Sequence, residues 1–287
     1  MIDLHTHTSL SDGTFTPEQL IQLALDNKLT AIAITDHDTI DGVQPAMDAA
    51  AKEKLDIVPG VELSIAADLP GQGHLHLLGL FIDHNFQPII EKLDYLRSKR
   101  IDRIYGILDK LQELDIALST DDLDFEGAQV SIGRPHIARL MANNGYVRSM
   151  HEAFDRYLAK DRPAFVEKEK INLEEAVQLI HDAAGLAIVA HPISFGYEQY
   201  EDIKSYLEEI LTTGIDGLEV YSSFHPPEFT EYLLEFARQK KLCISGGSDF
   251  HGLNKPEIEL GNGLGNLKIP NSVYEQLKKC VKQDKRN

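Results

Sequence analysis

Short apolar runs alternate with segments of helical period along most of this chain, and polar residues with chemistry stand where the runs stop. The runs at 2–5, 31–34, 57–58, 61–65, 75–82, 186–190, 217–220 and 242–245 predict strands. Between them, Thr16-Pro17-Glu18 is a helix start, with Thr16 as N-cap and Pro17 at the first helical position. Leu20, Ile21, Leu23, Ala24 and Leu25 give that helix an apolar face, and further helices are expected over 43–54, 201–212 and 227–240. The run Ala31-Ile32-Ala33-Ile34 suits a strand covered on both faces. Alternation of this kind predicts a parallel sheet, and the number of units favours closure into a barrel.

The rhythm breaks between 90 and 172. Leu93, Leu96, Ile101, Ile104, Leu108 and Leu111 recur at helical spacing there, followed by helical stretches near 137–143 and 151–158. The expected organisation is therefore an α/β barrel built from residues 1–89 and 173–287, with residues 90–172 inserted as a helical cap.

Six segments bear metal-ligand chemistry: His5-Thr6-His7, Thr35-Asp36-His37-Asp38, Gly60-Val61-Glu62, His74-Leu75-His76, Ala190-His191-Pro192 and Ser248-Asp249-Phe250-His251. Five follow strand-like runs and the sixth opens one. The C-terminal mouth of a β/α barrel gathers strand ends into one ring, so these groups are expected to converge. His5 and His7 are two apart and share a face. Asp12 reads equally as an ordinary turn aspartate in Ser11-Asp12-Gly13. Asp36 and Asp38 flank His37, where either orients a histidine through its second ring nitrogen or is simply solvated. Glu62 interrupts an apolar strand, and a buried unpaired carboxylate is costly enough to ask for a cation. With Asp249 and His251 the candidates number nine: His5, His7, Asp12, His37, Glu62, His76, His191, Asp249 and His251. Nine donors exceed one ion. Imidazole and carboxylate without thiolate suit Zn, Mn or Fe, and clustered ions clamp the attacking and leaving oxygens of a phosphoryl group.

Composition narrows the setting. The chain has 287 residues, 43% of them hydrophobic, and a formal net charge of -18. That charge argues against a protein living on duplex DNA, and with no Trp and no basic stripe of interleaved aromatics a nucleic-acid-binding module is disfavoured. Residues 90–172 hold 14 of the 28 Lys and Arg and 15 of the 46 acids, so this near-neutral stretch is where an anion-handling surface is expected. The two cysteines, Cys243 and Cys280, are too few for a disulfide framework. No run approaches a membrane span and strand residues begin almost at Met1, so a cytoplasmic protein without a leader or membrane partner is expected.

The motifs His5-x-His7, Thr35-Asp36-His37-Asp38, Gly60-Val61-Glu62, Ala190-His191-Pro192 and Gly247-Ser248-Asp249-Phe250-His251 together resemble the PHP (polymerase and histidinol phosphatase) family, in the family's order and over nearly the whole chain. The resemblance implies a distorted (β/α)7 barrel with two to three divalent ions at its C-terminal mouth. It also selects His76 over His74. Asp12, the run His76-Leu77-Leu78-Gly79 and the segment Ile132-Gly133-Arg134-Pro135-His136 resemble a narrower subgroup, the nucleoside 3′,5′-bisphosphate phosphatases and a related 5′→3′ exoribonuclease. That implies removal of the 3′-phosphate from a bisphosphate nucleotide, or stepwise cleavage of short 5′-phosphorylated RNA, by a hydroxide bridging two ions. The nine ligands would carry the catalysis. Arg134, a planar fork suited to phosphate, His136 and His225 are the candidate substrate-binding residues; the partner is then a small phosphorylated nucleotide or a short RNA end. Histidinol phosphatase and a metal-dependent amidohydrolase are the rival enzymes. Asp12 weighs against the first, and Glu62 with the closing Asp249-x-His251 weighs against the second. A non-catalytic PHP-like interaction module would be marked by lost ligands, and none of the nine is missing.

Overall fold

The structure is a computed structural model that describes residues 1–71, 73–119 and 133–284, without the side chains of 282–284. Ile132, the first residue of the segment that carries Arg134, lies outside the described residues. The chain divides into two compact units, Met1–Lys92 with Lys170–Asn287, and Leu93–Glu169.

The first unit is a seven-stranded barrel, and its strands follow one another around the sheet in sequence order. They are β1 (Ile2–Asp3), β2 (Ala31–Ile34), β3 (Asp56–Ile65), β4 (Leu75–Leu80), β5 (Leu186–Val189), β6 (Gly217–Ser222) and β7 (Cys243–Gly247). The ring closes between its ends. Leu4 N–H donates to the Gly246 carbonyl at 3.1 Å and Asp249 N–H to the His5 carbonyl at 3.0 Å, while Thr6 bridges Phe250 in parallel. Helices α1 (Pro17–Asp26), α2 (Val43–Ala50), α6 (Leu173–Asp182), α7 (Tyr200–Ile210) and α8 (Pro227–Lys240) link the strands. The start of α1 is as expected: the Thr16 side chain accepts from Gln19 N–H, the Gln19 side chain returns to the Thr16 N–H, and Pro17 stands at the first position.

Side-chain size decides which face of a strand turns inward. On β2, Ala31 and Ala33 point to the barrel interior with Ile2, Leu4, Val58, Leu78 and Ile188, while Ile32 and Ile34 pack against Leu20, Ile21, Val43 and Ala46 of α1 and α2. The last helix, α9 (Asn271–Asp284), brings Val273, Tyr274 and Leu277 into the interior cluster.

Four expectations need correction. The sheet is not wholly parallel: β4 runs antiparallel to both β3 and β5. The runs 57–58 and 61–65 form the single strand β3, because Pro59 and Gly60 stay in the ladder. The two cysteines do form a link, Cys243 at the start of β7 with Cys280 on α9. The helix expected over 43–54 ends at Ala50.

The second unit has a core of its own. It takes in most of α3 (Gln87–Gln112), then α4 (Arg134–Asn143) and α5 (Met150–Ala153), the last extended by a π-helical turn at Phe154–Leu158. Ile104, Ile107, Leu108 and Leu111 of α3 meet Ile137, Ala138 and Met141 of α4 there, at the spacing that marks one face of a helix. No helix of the described residues is long and apolar enough to cross a membrane.

Candidate metal centre

The antiparallel setting of β4 explains why a histidine at the start of a strand sits among residues at the ends of others. The first residues of β4 pair with the last residues of β3, Ser64 opposite His76, so the start of β4 lies at the mouth. All nine candidates meet there. Donor atoms of His5, His7, Glu62 and Asp249 lie within 4.8 Å of one another, as do those of His7, Asp12, His37 and His251, and those of His37, Glu62 and His76. A further trio joins His76 and His191 with His74.

Glu62 is the hub. Its Oε2 is 3.2 Å from His5 Nε2, 3.2 Å from His7 Nε2 and 3.0 Å from His37 Nδ1. Its Oε1 is 2.8 Å from His76 Nδ1 and 3.0 Å from His191 Nε2. Five imidazoles thus converge on one carboxylate that is wholly buried. Several contacts are close without being hydrogen bonds. His5 Nε2, both ring nitrogens of His7, His37 Nδ1 and Glu62 Oε2 are buried and have no hydrogen-bond partner. Orphaned buried polar atoms are uncommon and ask for an explanation. Divalent cations, whose ligands are lone pairs and carboxylate oxygens of this kind, supply one.

The loops bearing the ligands are tied down by further buried carboxylates. Asp36 accepts from Thr8 N–H and Thr8 Oγ1, each at 2.7 Å, and from Ser11 Oγ at 2.5 Å. Asp38 accepts from Ser64 N–H at 2.9 Å. Asp36 therefore fixes the loop after β1, where a role orienting a histidine was one expectation. Asp3 accepts from Ser248 N–H and Gly261 N–H, each at 2.8 Å, and burial pushes it up to about 6. Three non-glycine residues at the mouth hold positive φ: Asp38 at 53°, His191 at 27° and Asp249 at 58°. Such strain persists only where surrounding contacts enforce it, and it clusters at functional sites.

Burial disfavours charge on His5, His7, Asp12, His37, Glu62, His191 and Asp249, yet mutual fields overcome it for all of these but His37. Burial works against the His7 cation, but the adjacent Asp249 and Glu62 carboxylates push it up to about 9. His5 is likewise raised, by Glu219, Glu62 and Asp249. Against the opposing pull of burial, the neighbouring imidazoles hold Glu62, Asp249 and Asp12 well below the usual carboxylate range. His37 goes the other way, pulled down to about 3 by burial. An array of ionised carboxylates around imidazoles is the electrostatic form of a cation site.

The other candidates fall elsewhere. His225, just beyond β6, donates its Nδ1 proton to the Val220 carbonyl at 2.9 Å, and burial pulls it down to about 4. Its Nε2 is buried without a hydrogen-bond partner. Arg134 and His136 belong to the second unit. There Arg134 lies between the rings of Phe154 and Phe165 at 5.8 and 5.5 Å and donates to the Leu158 carbonyl at 3.1 Å. His136 Nδ1 accepts from Gly133 N–H at 3.1 Å, at the start of α4. Two residues escaped the sequence reading. Lys255 pairs with Asp249 Oδ2 at 2.6 Å, and no pattern in the chain marks it. Glu219 bonds His5 Nδ1 at 3.0 Å, and it was findable: like Glu62, it is a lone charge in an apolar strand.

A ring of imidazoles and carboxylates at the mouth of a β/α barrel defines a class, the metal-dependent hydrolases. Within that class the chain belongs to the PHP family, because the PHP domain matches residues 3–223. It is 31% identical over 264 residues to the 5'-3' exoribonuclease Rnm of Escherichia coli, covering 91% of this chain and 88% of that one. It is 31% identical over 271 residues to a 3',5'-nucleoside bisphosphate phosphatase of Chromobacterium violaceum, covering 91% and 90%. A crystal structure from Bifidobacterium adolescentis, assigned as a metal-dependent phosphoesterase, superimposes with a TM-score of 0.79 at 29% identity, covering 97% of this chain and 96% of that one. The chain is a PHP-family metal-dependent phosphoesterase.

Proposed function

We propose that this phosphoesterase acts on nucleotides, removing the 3′-phosphate of nucleoside 3′,5′-bisphosphates, cleaving short 5′-phosphorylated RNA from its 5′ end, or both. The observation that carries the site assignment is Glu62, one buried carboxylate whose two oxygens meet five imidazole nitrogens. His5, His7, Glu62 and Asp249 would hold one divalent ion, Asp12, His37 and His251 a second, and Glu62, His76 and His191 a third. Manganese, zinc and iron all suit these donors. Such ions supply Lewis-acid neutralisation of charge on the phosphoryl oxygens and an activated water. The protein's own residues do the rest. Asp36 and Asp3 hold the ligand loops, and Lys255 fixes Asp249.

Within the helical unit, Arg134 is the candidate phosphate ligand. Its guanidinium lies over the faces of Phe154 and Phe165 and is tied to the Leu158 carbonyl, which limits the positions of a planar fork suited to phosphate. His225 would meet the substrate through Nε2, an acceptor once Nδ1 donates to Val220. Support for a nucleotide substrate comes from the two relatives' activities.

Phosphate release from adenosine 3′,5′-bisphosphate by manganese-loaded protein tests the reading, beside 5′-AMP, histidinol phosphate and a 5′-phosphorylated RNA oligomer. Turnover of the bisphosphate or shortening of the oligomer, with histidinol phosphate untouched, is expected. Preference for histidinol phosphate would overturn it.

Metal loading has its own signature. Because His7 is pushed up to about 9 and His5 is also raised, both are protonated near neutral pH before metal binds. Ligation needs their lone pairs, so loading stripped protein should release protons, and affinity should rise with pH up to about 9. Calorimetry in two buffers of different ionisation enthalpy counts those protons. Heats that do not depend on the buffer would contradict this.

A further inference from the structure

We infer that Glu219 positions two ligands of the metal centre at once, holding His5 in the ligating tautomer and bracing the strained backbone of His191. The inference rests on the metal-centre reading above and adds to it a residue outside the nine.

Glu219 stands in the middle of β6, fully buried, with Leu218 and Val220 beside it. A carboxyl group in that setting is costly unless both oxygens are engaged, and both are. Oε1 lies 3.0 Å from His5 Nδ1, and Oε2 accepts the His191 backbone N–H at 2.7 Å. A carboxylate offers acceptors only, so the His5 proton belongs on Nδ1. In the neutral, ligating ring this leaves Nε2, 3.2 Å from Glu62 and 3.5 Å from Asp249, to carry the lone pair for a metal. An imidazole whose second nitrogen is bonded to a carboxylate is fixed in orientation and made a stronger donor to a metal.

The second contact addresses strain. His191 holds φ 27° and ψ 67°, a region costly for any residue with a Cβ. Pro192 follows it, and a residue before proline is further restricted. This conformation turns the His191 ring so that Nε2 reaches Glu62 Oε1 at 3.0 Å and Nδ1 reaches Ser194 Oγ at 2.9 Å. The bond from His191 N–H to Glu219 is what offsets the strain. One side chain therefore joins a ligand after β1 to a ligand after β5.

The test compares wild type, Glu219→Gln and Ser245→Ala. Ser245 is the buried partner of Glu219 on β7 and touches none of the ligands by hydrogen bond. A glutamine amide carries one acceptor and one donor group, so it serves His5 or His191 but not both. Zinc is the probe, because it is diamagnetic and leaves histidine nitrogens visible in 15N spectra. Zinc-loaded wild type should show His5 with its proton on Nδ1 and the metal on Nε2. Glu219→Gln should lose that signal and bind zinc about 10–100-fold more weakly, with kcat lowered more than KM changes. Ser245→Ala should match wild type. If Glu219→Gln fails to fold, Glu219→Asp carries the same test, since the shorter carboxylate keeps the charge but cannot span both contacts. Wild-type zinc affinity in the variant that folds, or a wild-type His5 protonated at Nε2, overturns the inference about Glu219 alone. Failure of wild type to bind zinc through His5 overturns the metal-centre reading beneath it.

Discussion

Glu62→Gln is expected to reduce phosphoesterase turnover by roughly a thousandfold or more while the purified protein remains folded. The expectation follows from how many partners one carboxylate serves. Five imidazole nitrogens lie 2.8–3.2 Å from its two oxygens, so the change touches every ligand set that includes Glu62. Glutamine preserves shape and keeps one oxygen, but it removes the negative charge and turns a donor group toward imidazoles that already carry protons. A shared anion is what lets ions sit close together, and loss of a metal's charge stabilisation costs several kcal/mol in the transition state; about 4 kcal/mol corresponds to the thousandfold figure. The fold should survive for a separate reason. The barrel interior is built from Ile2, Leu4, Ala33, Val58, Leu78 and Ile188, none of which the substitution alters. Without Glu62 the raised histidines give up protons at lower pH, which spares the variant an uncompensated buried charge. Metal content by elemental analysis, circular dichroism and turnover, measured on one preparation, check this. A variant that keeps its metals and works within tenfold of wild type would remove Glu62 from the centre of the site.

What the sequence disclosed, and what it hid, follow from the same physics. A buried charge inside an apolar strand is expensive, so Glu62 stood out from its place in an apolar run. Glu219 obeys the same rule in Gly217–Ser222 and was passed over, because no motif drew attention to it. The apolar runs marked eight strand regions, two of which the structure joins as β3, and the resemblance implied seven strands; neither carries direction. Leu75–Leu80 reads the same whether parallel or antiparallel, and only the pairing of His76 with Ser64 reveals that β4 is reversed. The two-residue spacing of His5 and His7 is local and therefore legible. The pairing of Lys255 with Asp249, and the meeting of Cys243 with Cys280, depend on where the chain returns after a turn, and sequence spacing does not fix that. Arg134 was legible as a phosphate-type side chain; the aromatic pair it lies over, Phe154 and Phe165, comes from positions twenty or more residues away.

Gly247→Ala should be the most damaging single methyl group that can be added to this barrel. Gly247 ends β7, two residues before Asp249, and a Cβ built there would collide with the backbone nitrogen, Cα and Cβ of His5. None of those atoms can rotate away, so relief requires β1 to move from β7. That seam is already thin: β1 is only Ile2–Asp3, and the hydrogen bonds from Leu4 to Gly246 and from Asp249 to His5 hold its continuation. Both bonds flank the collision. Overpacking a fitted site costs about 1–3 kcal/mol where side chains can adjust, and a backbone collision belongs at the top of that range, a fall of roughly 5–10 °C in thermal midpoint. His5 and Asp249 sit on opposite sides of the seam, so zinc affinity and turnover should fall together with stability. That pattern separates Gly247→Ala from Glu62→Gln, in which activity falls and the fold is kept. Gly106→Ala supplies the control. Gly106 lies in α3, its added Cβ would meet only Val166 at an ordinary 3.6 Å, and alanine is the better helix former by about 0.5–1 kcal/mol. Thermal unfolding should therefore show Gly106→Ala at or slightly above wild type and Gly247→Ala well below it. Equal midpoints for Gly247→Ala and wild type, with zinc affinity unchanged, would mean that β1 and β7 are not held as closely as the hydrogen bonds across their seam require.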